Sequence, residues 1–567
     1  MVNRGRSRGC VTCRQRRVKC DEGKPECRTC GRLGLRCGGY RTQPASTALK
    51  FRDQNHKFYG PASLERTGKS QSPPQVASLS LHSLAAPDTA VPFFLVHYAI
   101  MGRDMESARG FYEILVPEYC AQPQDSALSL AVSALASETM SMWRRGAGDL
   151  QSAEASYTQA VACLRGTVSN CTERGKTATL LAALALQMYE NVAAIYGLRS
   201  GATRIHHDGA LSLLPFANPG DTNNKTSAYA RRYILHSEVS SALRQKRPVR
   251  SIVYSLIGSQ DLVAAPANPS STLDLIGTSV AELQASYIHL ASQDCTALPF
   301  QRATAKWQAE AKLLDEQLVL WAQSVPDYWQ PVKLTGGRDI DPSIPTYDLT
   351  CEIYHSCQIA NVWNLWRCQR LILLKITLNS LNVVSYRERG EVTVDQLDDA
   401  IVDVVKCKQT LQELVDSLCH SVPFYLGNRL RPSTMDDFTD PTIVFPTYPP
   451  SDKPGYHPRI QPDDHKRQAI AQGHWHIMSP LGCLLTLLSE DNGQLIAGYL
   501  RHGQCSWIRA QFLRVTTLLR LRPGGSGGSV EGQRLSNPPS STGGTADIKV
   551  EYLARRVRKG AVFLSGP

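Results

Sequence analysis

The sequence predicts a small cysteine-built module at the N-terminus, tethered to a large and mostly α-helical domain. Three observations predict it. Six cysteines fall in two matching sets within residues 10–37, apolar residues recur three and four apart over much of residues 92–522, and a Ser-, Pro-, Gln- and Gly-rich stretch lies between. With 567 residues, 42% of them apolar and 20% charged, the chain is ample for one or more substantial cores and is not disordered as a whole. The longest apolar runs, Ala178 to Leu186 and the stretch around Pro92 to Met101, fall short of the roughly 20 residues that cross a bilayer, so no membrane span is expected. The first residues, Met1-Val2-Asn3-Arg4-Gly5-Arg6-Ser7-Arg8, are basic where a secretory signal is apolar, so the cysteines are expected to stay in a reducing compartment.

Charge is unevenly placed. The net charge is +12, and residues 1–50 alone carry 13 Lys/Arg against 3 Asp/Glu, which leaves only +2 for the rest. The N-terminal fifty residues therefore suit a polyanion, and the remainder does not.

The cysteines Cys10, Cys13, Cys20, Cys27, Cys30 and Cys37 read Cys-x2-Cys-x6-Cys twice, with each member of the second set 17 positions after its counterpart. Two cysteines two residues apart can close on one metal ion, and the third arrives after about two helical turns. Each set thus offers three sulfurs to a tetrahedral ion that takes four. Two Zn²⁺ ions need more sulfur bonds than six unshared thiolates provide, so two sulfurs must bridge, and the repeat makes the equivalent pair Cys10 and Cys27 the natural bridges. This predicts a binuclear Zn₂Cys₆ cluster with two Zn²⁺ per chain. The competing readings are a three-disulfide framework, suited to a secreted chain, and iron–sulfur ligation, which needs four cysteines per cluster at other spacings.

Between the second and third ligands, Arg14-Gln15-Arg16-Arg17-Val18-Lys19 places four cations in six positions, expected on a short helix that starts at the metal. Such a helix suits the major groove, where an Arg fork meets guanine O6 and N7. Contact with phosphates alone is the plainer alternative for Arg16 and Arg17. Arg4, Arg6 and Arg8 form a basic arm ahead of it, also suited to a nuclear importer.

On the six cysteines, Arg14, the Arg16-Arg17-Val18-Lys19 run, Asp21 and Pro25, the segment resembles the DNA-binding domain of the fungal Zn(II)₂Cys₆ transcription factor family. The resemblance implies that Arg17, with Arg16 beside it, faces a CGG-type triplet, that the neighbouring basic residues hold phosphates, and that Pro25 sets the turn between the halves. The family often has lysine where this chain has Arg16 and Arg17.

From Gly38 to about Ala90 the composition reads as a tether. Many family members follow the cluster with a coiled coil, but no apolar heptad is sustained here, so a homodimer is left open. Beyond it, Leu181, Leu184, Met188, Val192 and Ile195 mark one helical stripe, and Trp307, Ala311, Leu314, Leu318, Trp321 and Val325 another. Pro326, with Tyr328 and Trp329 after it, closes that second helix. Landmarks such as His207-Asp208-Gly209-Ala210, Asn361-Val362-Trp363-Asn364 with Arg367, and Ser421-Val422-Pro423 resemble the second type of fungal-specific regulatory domain, which implies a helical regulator and not an enzyme. Residues 431–464 are a Pro-rich loop holding Asp436-Asp437-Phe438, a mix found in some activation segments and more often in ordinary loops. Residues 523–547 are a Gly/Ser-rich insertion, followed by a helix from about Ile548.

Catalytic patterns fail. There is no phosphate-cradling Gly-Lys-Ser/Thr loop, no Gly-x-Ser-x-Gly elbow and no Gly-x-Gly-x-x-Gly after a strand. The other eleven cysteines are scattered and expected mostly as small buried hydrophobes; His206, His207, His474 and His476 are expected at the surface or at helix caps. The sequence-level expectation is a nuclear, zinc-dependent transcription regulator that binds double-stranded DNA and works with transcription machinery or co-regulators. Members of the family often control one metabolic pathway, secondary-metabolite gene clusters included. The alternative is a corepressor whose cluster and helical domain act mainly through protein contacts.

Overall fold

The computed structural model describes residues 9–40, 89–521 and 543–560, apart from 102–106, 108, 145–147, 197, 199–202, 218–224, 259–264, 292–297, 338, 388–393, 448–460 and 491–492. The basic arm, nearly all of the tether and most of the Gly/Ser-rich insertion lie outside these residues. The chain divides into two compact units, Met1–Leu79 and Ser80–Pro567.

The first unit holds two short helices, α1 (Val11–Gln15) and α2 (Arg28–Arg32). Its buried apolar side chains are cysteines, with Tyr40 packed against them. So little apolar area cannot hold a fold by itself.

The second unit is built from helices. α3 (Ala90–Phe94), α4 (Phe111–Cys120), α5 (Ala127–Trp143), α6 (Gly148–Ser169) and α7 (Thr177–Ile195) come first, then α8 (Ile205–Leu213), α9 (Lys225–Gln245), α10 (Ser251–Gly258), α11 (Pro269–Ala291) and α12 (Leu298–Ser324). A hairpin of β1 (Val332–Thr335) and β2 (Thr350–Ile353) follows, antiparallel with Val332 opposite Ile353. α13 (Cys357–Arg387), α14 (Val394–Leu426), α15 (Pro462–Gln468), α16 (His474–Ser489), α17 (Gly493–Ala497), α18 (Gln504–Leu518) and α19 (Gly543–Gly560) complete it. α19 begins ahead of Ile548, where the sequence pattern places its start. The class is mostly α, as the periodicity predicts; the hairpin's four-residue strands are too short to show as alternation.

Both apolar stripes are core. Leu181, Leu184, Met188, Val192 and Ile195 are buried on α7, and Trp307, Ala311, Leu314, Leu318, Trp321 and Val325 are buried along and just after α12. α7 is buried on every face from Ala178 to Ile195, which is why its pattern looks apolar all round. Among the described residues it is the helix long and apolar enough to cross a membrane. The apolar run stops at Leu186, but the helix continues through Gln187, Glu190 and Asn191 to Ile195, and the 94% burial of its apolar window inside the fold makes it a core helix.

α5 packs on α6 and α7, α11 on α9 and α12, and α13 on α12, α14 and α16. Local chemistry fixes the entries. Ser126 caps α5 by accepting from Ser129 N–H at 3.1 Å. Gly110 enters α4 at φ +118°, where an added Cβ would meet the Tyr229 carbonyl oxygen at 1.9 Å, so only glycine fits. The helix α12 stops at Ser324, and Pro326 leads into a 3₁₀ turn over Asp327–Trp329. In the loop after α14, Phe438 is packed among Phe93, His97 and Trp143, and Asp437 pairs with Arg429 at 3.3 Å. That part of the acidic segment is docked on the fold.

Candidate metal centre

The module is two copies of one local design. Cys10 and Cys27 stand at the N-caps of α1 and α2, and each sulfur accepts the backbone N–H three residues on, from Cys13 and Cys30, both at 3.4 Å. Each of these N–H bonds favours the thiolate, but loss of solvent and the neighbouring Cys30 sulfur together leave the Cys10 and Cys27 thiols raised overall. The bonds place the first two sulfurs of each set on one side of each helix start.

The helix starts face each other. Cys10 Sγ lies 3.6 Å from Cys27 Sγ and 3.8 Å from Cys30 Sγ, and Cys13 Sγ lies 3.7 Å from Cys27 Sγ and 3.8 Å from Cys30 Sγ. Two sulfurs about 2.3 Å from one tetrahedral ion stand about 3.8 Å apart, so the spacing fits zinc. All six sulfurs fall into two sets of four, Cys10, Cys13, Cys20, Cys27 and Cys10, Cys27, Cys30, Cys37, each within 4.8 Å. The two sets share Cys10 and Cys27. The six cysteines thus form a site able to bind two metal ions.

Electrostatics point the same way. Burial pushes the Cys13 thiol up to about 12 and raises Cys27 further, so these sulfurs need a cation to ionise. The outer sulfurs are prepared differently. Cys20 Sγ accepts backbone N–H groups from Cys10 and Glu22, both at 3.4 Å, and these hold it down at about 7. Backbone N–H groups of Cys27 and Gly39 likewise lower Cys37.

Three residues outside the ligand set tie the halves together. Asp21, from the first half, accepts from the backbone N–H groups of Arg28 and Thr29, both at 3.0 Å, and from Thr29 Oγ1 at 2.9 Å, capping α2. These bonds hold its carboxyl at about 2. Thr12 Oγ1 donates to the Arg36 carbonyl at 3.1 Å and accepts from Gly38 N–H at 2.8 Å. Tyr40 donates to the Gly23 carbonyl at 2.8 Å with its hydroxyl 3.8 Å from Cys20 Sγ. The sequence pattern singled out Asp21 but missed Thr12 and Tyr40, whose only signal is nearness to the cysteines. Pro25 sits in the loop between the halves, after a cis peptide bond from Lys24.

The basic segment departs from expectation. Arg14 lies on α1, but the helix ends at Gln15, Arg16 is its cap, and Arg17 is in the left-handed region at φ +56°. Arg17 N–H bonds back to the Arg14 carbonyl at 3.2 Å and Val18 N–H to the Cys13 carbonyl at 3.0 Å, a Schellman closure that stops the helix. Arg16, Arg17 and Lys19 therefore leave the helix end instead of riding a continuous helix to Lys19. The second half closes identically, with Gly34 at φ +62° and Leu35 N–H on the Cys30 carbonyl at 3.1 Å. Arg14, Arg16, Arg17 and Lys19 are all exposed, and none forms an ion pair among the described residues.

Among its described residues the larger unit offers no comparable site. Among its described residues no further group of cysteine, histidine and carboxylate ligands comes together. His206, His207, His474 and His476 are buried, contrary to the surface or capping role expected of them. His207 Nε2 meets Glu238 at 2.9 Å and His206 Nε2 meets the Tyr157 hydroxyl at 3.0 Å, partners too distant in sequence to foresee. Of the other cysteines, Cys351, Cys357, Cys368 and Cys419 are buried, while Cys120 and Cys171 are exposed. Ser240 Oγ, His236 and Asp274 align at 3.2 and 2.6 Å in the order of a hydrolytic triad. Burial and the nearby Arg109 hold His236 at about 4, a poor base near neutral pH, and Arg109 Nη1 lies 3.5 Å from the same Nε2.

Residues 8–46 match the model of the fungal Zn(2)-Cys(6) binuclear cluster domain. Over 45 residues the chain is 60% identical to the pestheic acid cluster transcriptional regulator 3 of Pestalotiopsis fici, covering 8% of each chain. Over 55 residues it is 63% identical to the aspercryptin biosynthesis cluster-specific transcription regulator atnN of Emericella nidulans, covering 8% of this chain and 9% of that one. The chain thus spans less than a tenth of the length of these relatives. A longer, weaker likeness joins it to transcription factor dbaG of Emericella nidulans, 21% identical over 300 residues, half of this chain and 67% of the relative. No solved structure matches. The paired cysteine sets, the sulfur spacing and these matches together make the N-terminal module of this chain a member of the fungal Zn(2)-Cys(6) binuclear cluster domain family.

Proposed function

We propose that the chain is a nuclear, zinc-dependent, sequence-specific DNA-binding regulator of RNA polymerase II genes. Two Zn²⁺ ions share Cys10 and Cys27 as bridges, with Cys13 and Cys20 completing one ion's shell and Cys30 and Cys37 the other's. Arg17 and Arg16 read a CGG-type triplet in the major groove, and Arg14 and Lys19 hold phosphates. The observation that supports this reading most is the row of four exposed cations, without ion-pair partners among the described residues, on a module built around sulfur. An exposed cation row that the fold does not use internally is what a phosphate backbone neutralises.

The helix α1 enters the groove by its end, and the Schellman turn presents Arg16 and Arg17. On this reading residues 10–37 bind DNA after a basic arm at 1–9, residues 38–90 are the tether, and residues 91–522 form the regulatory domain that meets co-regulators. The target is a single biosynthetic gene cluster, the role named for two relatives of the module.

Selection from a random duplex pool by the zinc-loaded full chain, with metal counted per chain, tests this. Two zincs and an enriched CGG-containing motif are expected; one triplet indicates a monomer and two at fixed spacing a homodimer. Two zincs with no enriched sequence and no steep salt dependence overturn the DNA reading in favour of a protein-binding corepressor.

A further inference from the structure

Helices α9, α11, α13, α16 and α19 surround a cavity of about 100 Å³ that opens toward solvent. Its wall is largely apolar, with Leu243, Tyr287, Ile288, Ile372, Ile376 and Leu487 among the contributors. Cavities of this kind between packed helices, apolar with a few convergent polar groups, are where small molecules bind.

The charged groups here have one sign. Among the described residues no Asp or Glu lines the cavity, but Arg244, Lys246, Lys375 and Arg558 do. Three of these cations are engaged at the rim: Lys246 pairs with Glu490 at 3.0 Å, Arg558 pairs with the same carboxylate, and Lys375 Nζ donates to the Leu487 carbonyl at 2.9 Å and to that of Glu490. Arg244 is different. It makes no hydrogen bond and no ion pair among the described residues, and it stands half-buried at the cavity wall. Burial, reinforced by the like charges of Arg204 and Arg247, pushes its guanidinium down to about 9. A guanidinium stays protonated in proteins, so the charge persists. On the same wall, the Oε1 atoms of the buried Gln284 and Gln369 also lack partners; as acceptors they call for a hydroxyl, N–H or water donor and are not partners for the anionic head.

We propose that this cavity binds a small organic monoanion, its apolar body against the aliphatic and aromatic wall and its anionic head on Arg244. Charge complementarity selects this occupant: a neutral apolar molecule leaves Arg244 unpaired, and a cation adds to four like charges balanced by one nearby carboxylate. The inference concerns the helical unit alone and does not depend on DNA binding by the module.

The test is isothermal titration of the full-length, zinc-loaded protein with butanoate, butan-1-ol and butylamine, which share one short chain sized to the cavity and differ in the head. Butanoate is expected to bind at least tenfold more tightly than either, and to raise the thermal midpoint as ligands of the native state do. Arg244→Met is expected to abolish the preference, and Arg244→Lys to keep most of it; urea midpoints of both variants confirm that they fold. Because the head-group preference is read on the unaltered protein, a variant that unfolds does not decide the matter. Absence of saturable butanoate binding, equal affinity for all three heads, or a folded Arg244→Met with unchanged butanoate affinity overturns the proposal.

Discussion

The two units of this chain hold themselves together by different means. In the module, the buried side chains are sulfurs, and the helices are each five residues long; in the helical unit, tryptophans, tyrosines and branched aliphatics from helices distant in sequence fill a continuous interior. The first is organised by coordination bonds that lie close together along the chain. The second is organised by area removed from water, gathered from all along the chain. The lesson is that the module should fail all at once when its metal goes, while the larger unit should yield by increments.

Metal removal separates them most strongly. Structural zinc contributes about 10–16 kcal/mol of apparent binding energy to small domains, which for such a domain is folding energy. A strong chelator is therefore expected to abolish amide dispersion from residues 10–40 in NMR spectra while the helical circular dichroism of the whole chain barely changes. Simultaneous loss of both signals would break the comparison. Cys27→Ala is expected to disturb both metal sites, because both sulfur sets use it; retention of one zinc at full affinity would argue against a shared sulfur.

The converse test removes packing. Trp475 on α16 is fully buried, within 6.5 Å of the Tyr196 ring. Trp475→Ala is expected to cost about 3–5 kcal/mol in urea denaturation of the helical unit, with two zincs still bound per chain. Loss of zinc on this substitution would mean that the units are not independent.

Acid gives a smaller and graded effect. Burial alone would raise the Glu490 carboxyl, but hydrogen bonds from Arg558 and Lys246 outweigh it and hold it at about 2. A carboxyl depressed on folding stabilises the native state above its unfolded value, roughly 4.3, and that contribution is lost as pH falls toward the folded value. The thermal midpoint of the helical unit should fall as pH drops from about 4.5 toward 2, and Glu490→Gln should flatten that part of the profile. An unchanged profile in the variant would assign the acid sensitivity elsewhere, for instance to Glu190, held at about 2 against its burial by His206, Thr203 and Tyr157.

How much of this was legible in the sequence follows from how local each cause is. The ligand set was legible because six thiolates at a repeated spacing leave few ways to satisfy two tetrahedral ions. The core stripes of α7 and α12 were legible because helical period and burial coincide. The burial of His206 and His207 was not, since the carboxylates and hydroxyl that satisfy them arrive from Tyr157, Glu190 and Glu238 on other helices. The early end of α1 sits between these cases. Aligning the two halves by their offset of 17 sets Arg17 over Gly34, and a glycine at that register marks a left-handed helix stop; the run of basic residues hid it.

That register gives the finest test. A side chain with a Cβ in the left-handed region costs about 1 kcal/mol relative to glycine, so the first half carries at Arg17 a strain that the second half avoids at Gly34. If the arginine is kept for DNA, Arg17→Ala and Arg17→Gly should both weaken binding at the selected site by about 1–3 kcal/mol and relax base preference there. They should differ in the zinc-loaded module alone, where Arg17→Gly relieves the backbone and raises stability by about 1 kcal/mol or less, while Arg17→Ala, which keeps its Cβ, does not. Chelator titration of each variant reads the second effect and DNA titration the first. Equal weakening on every DNA sequence would reduce Arg17 to a phosphate contact, and equal stability of the two variants would show that the turn, and not the side chain, sets the backbone at this position.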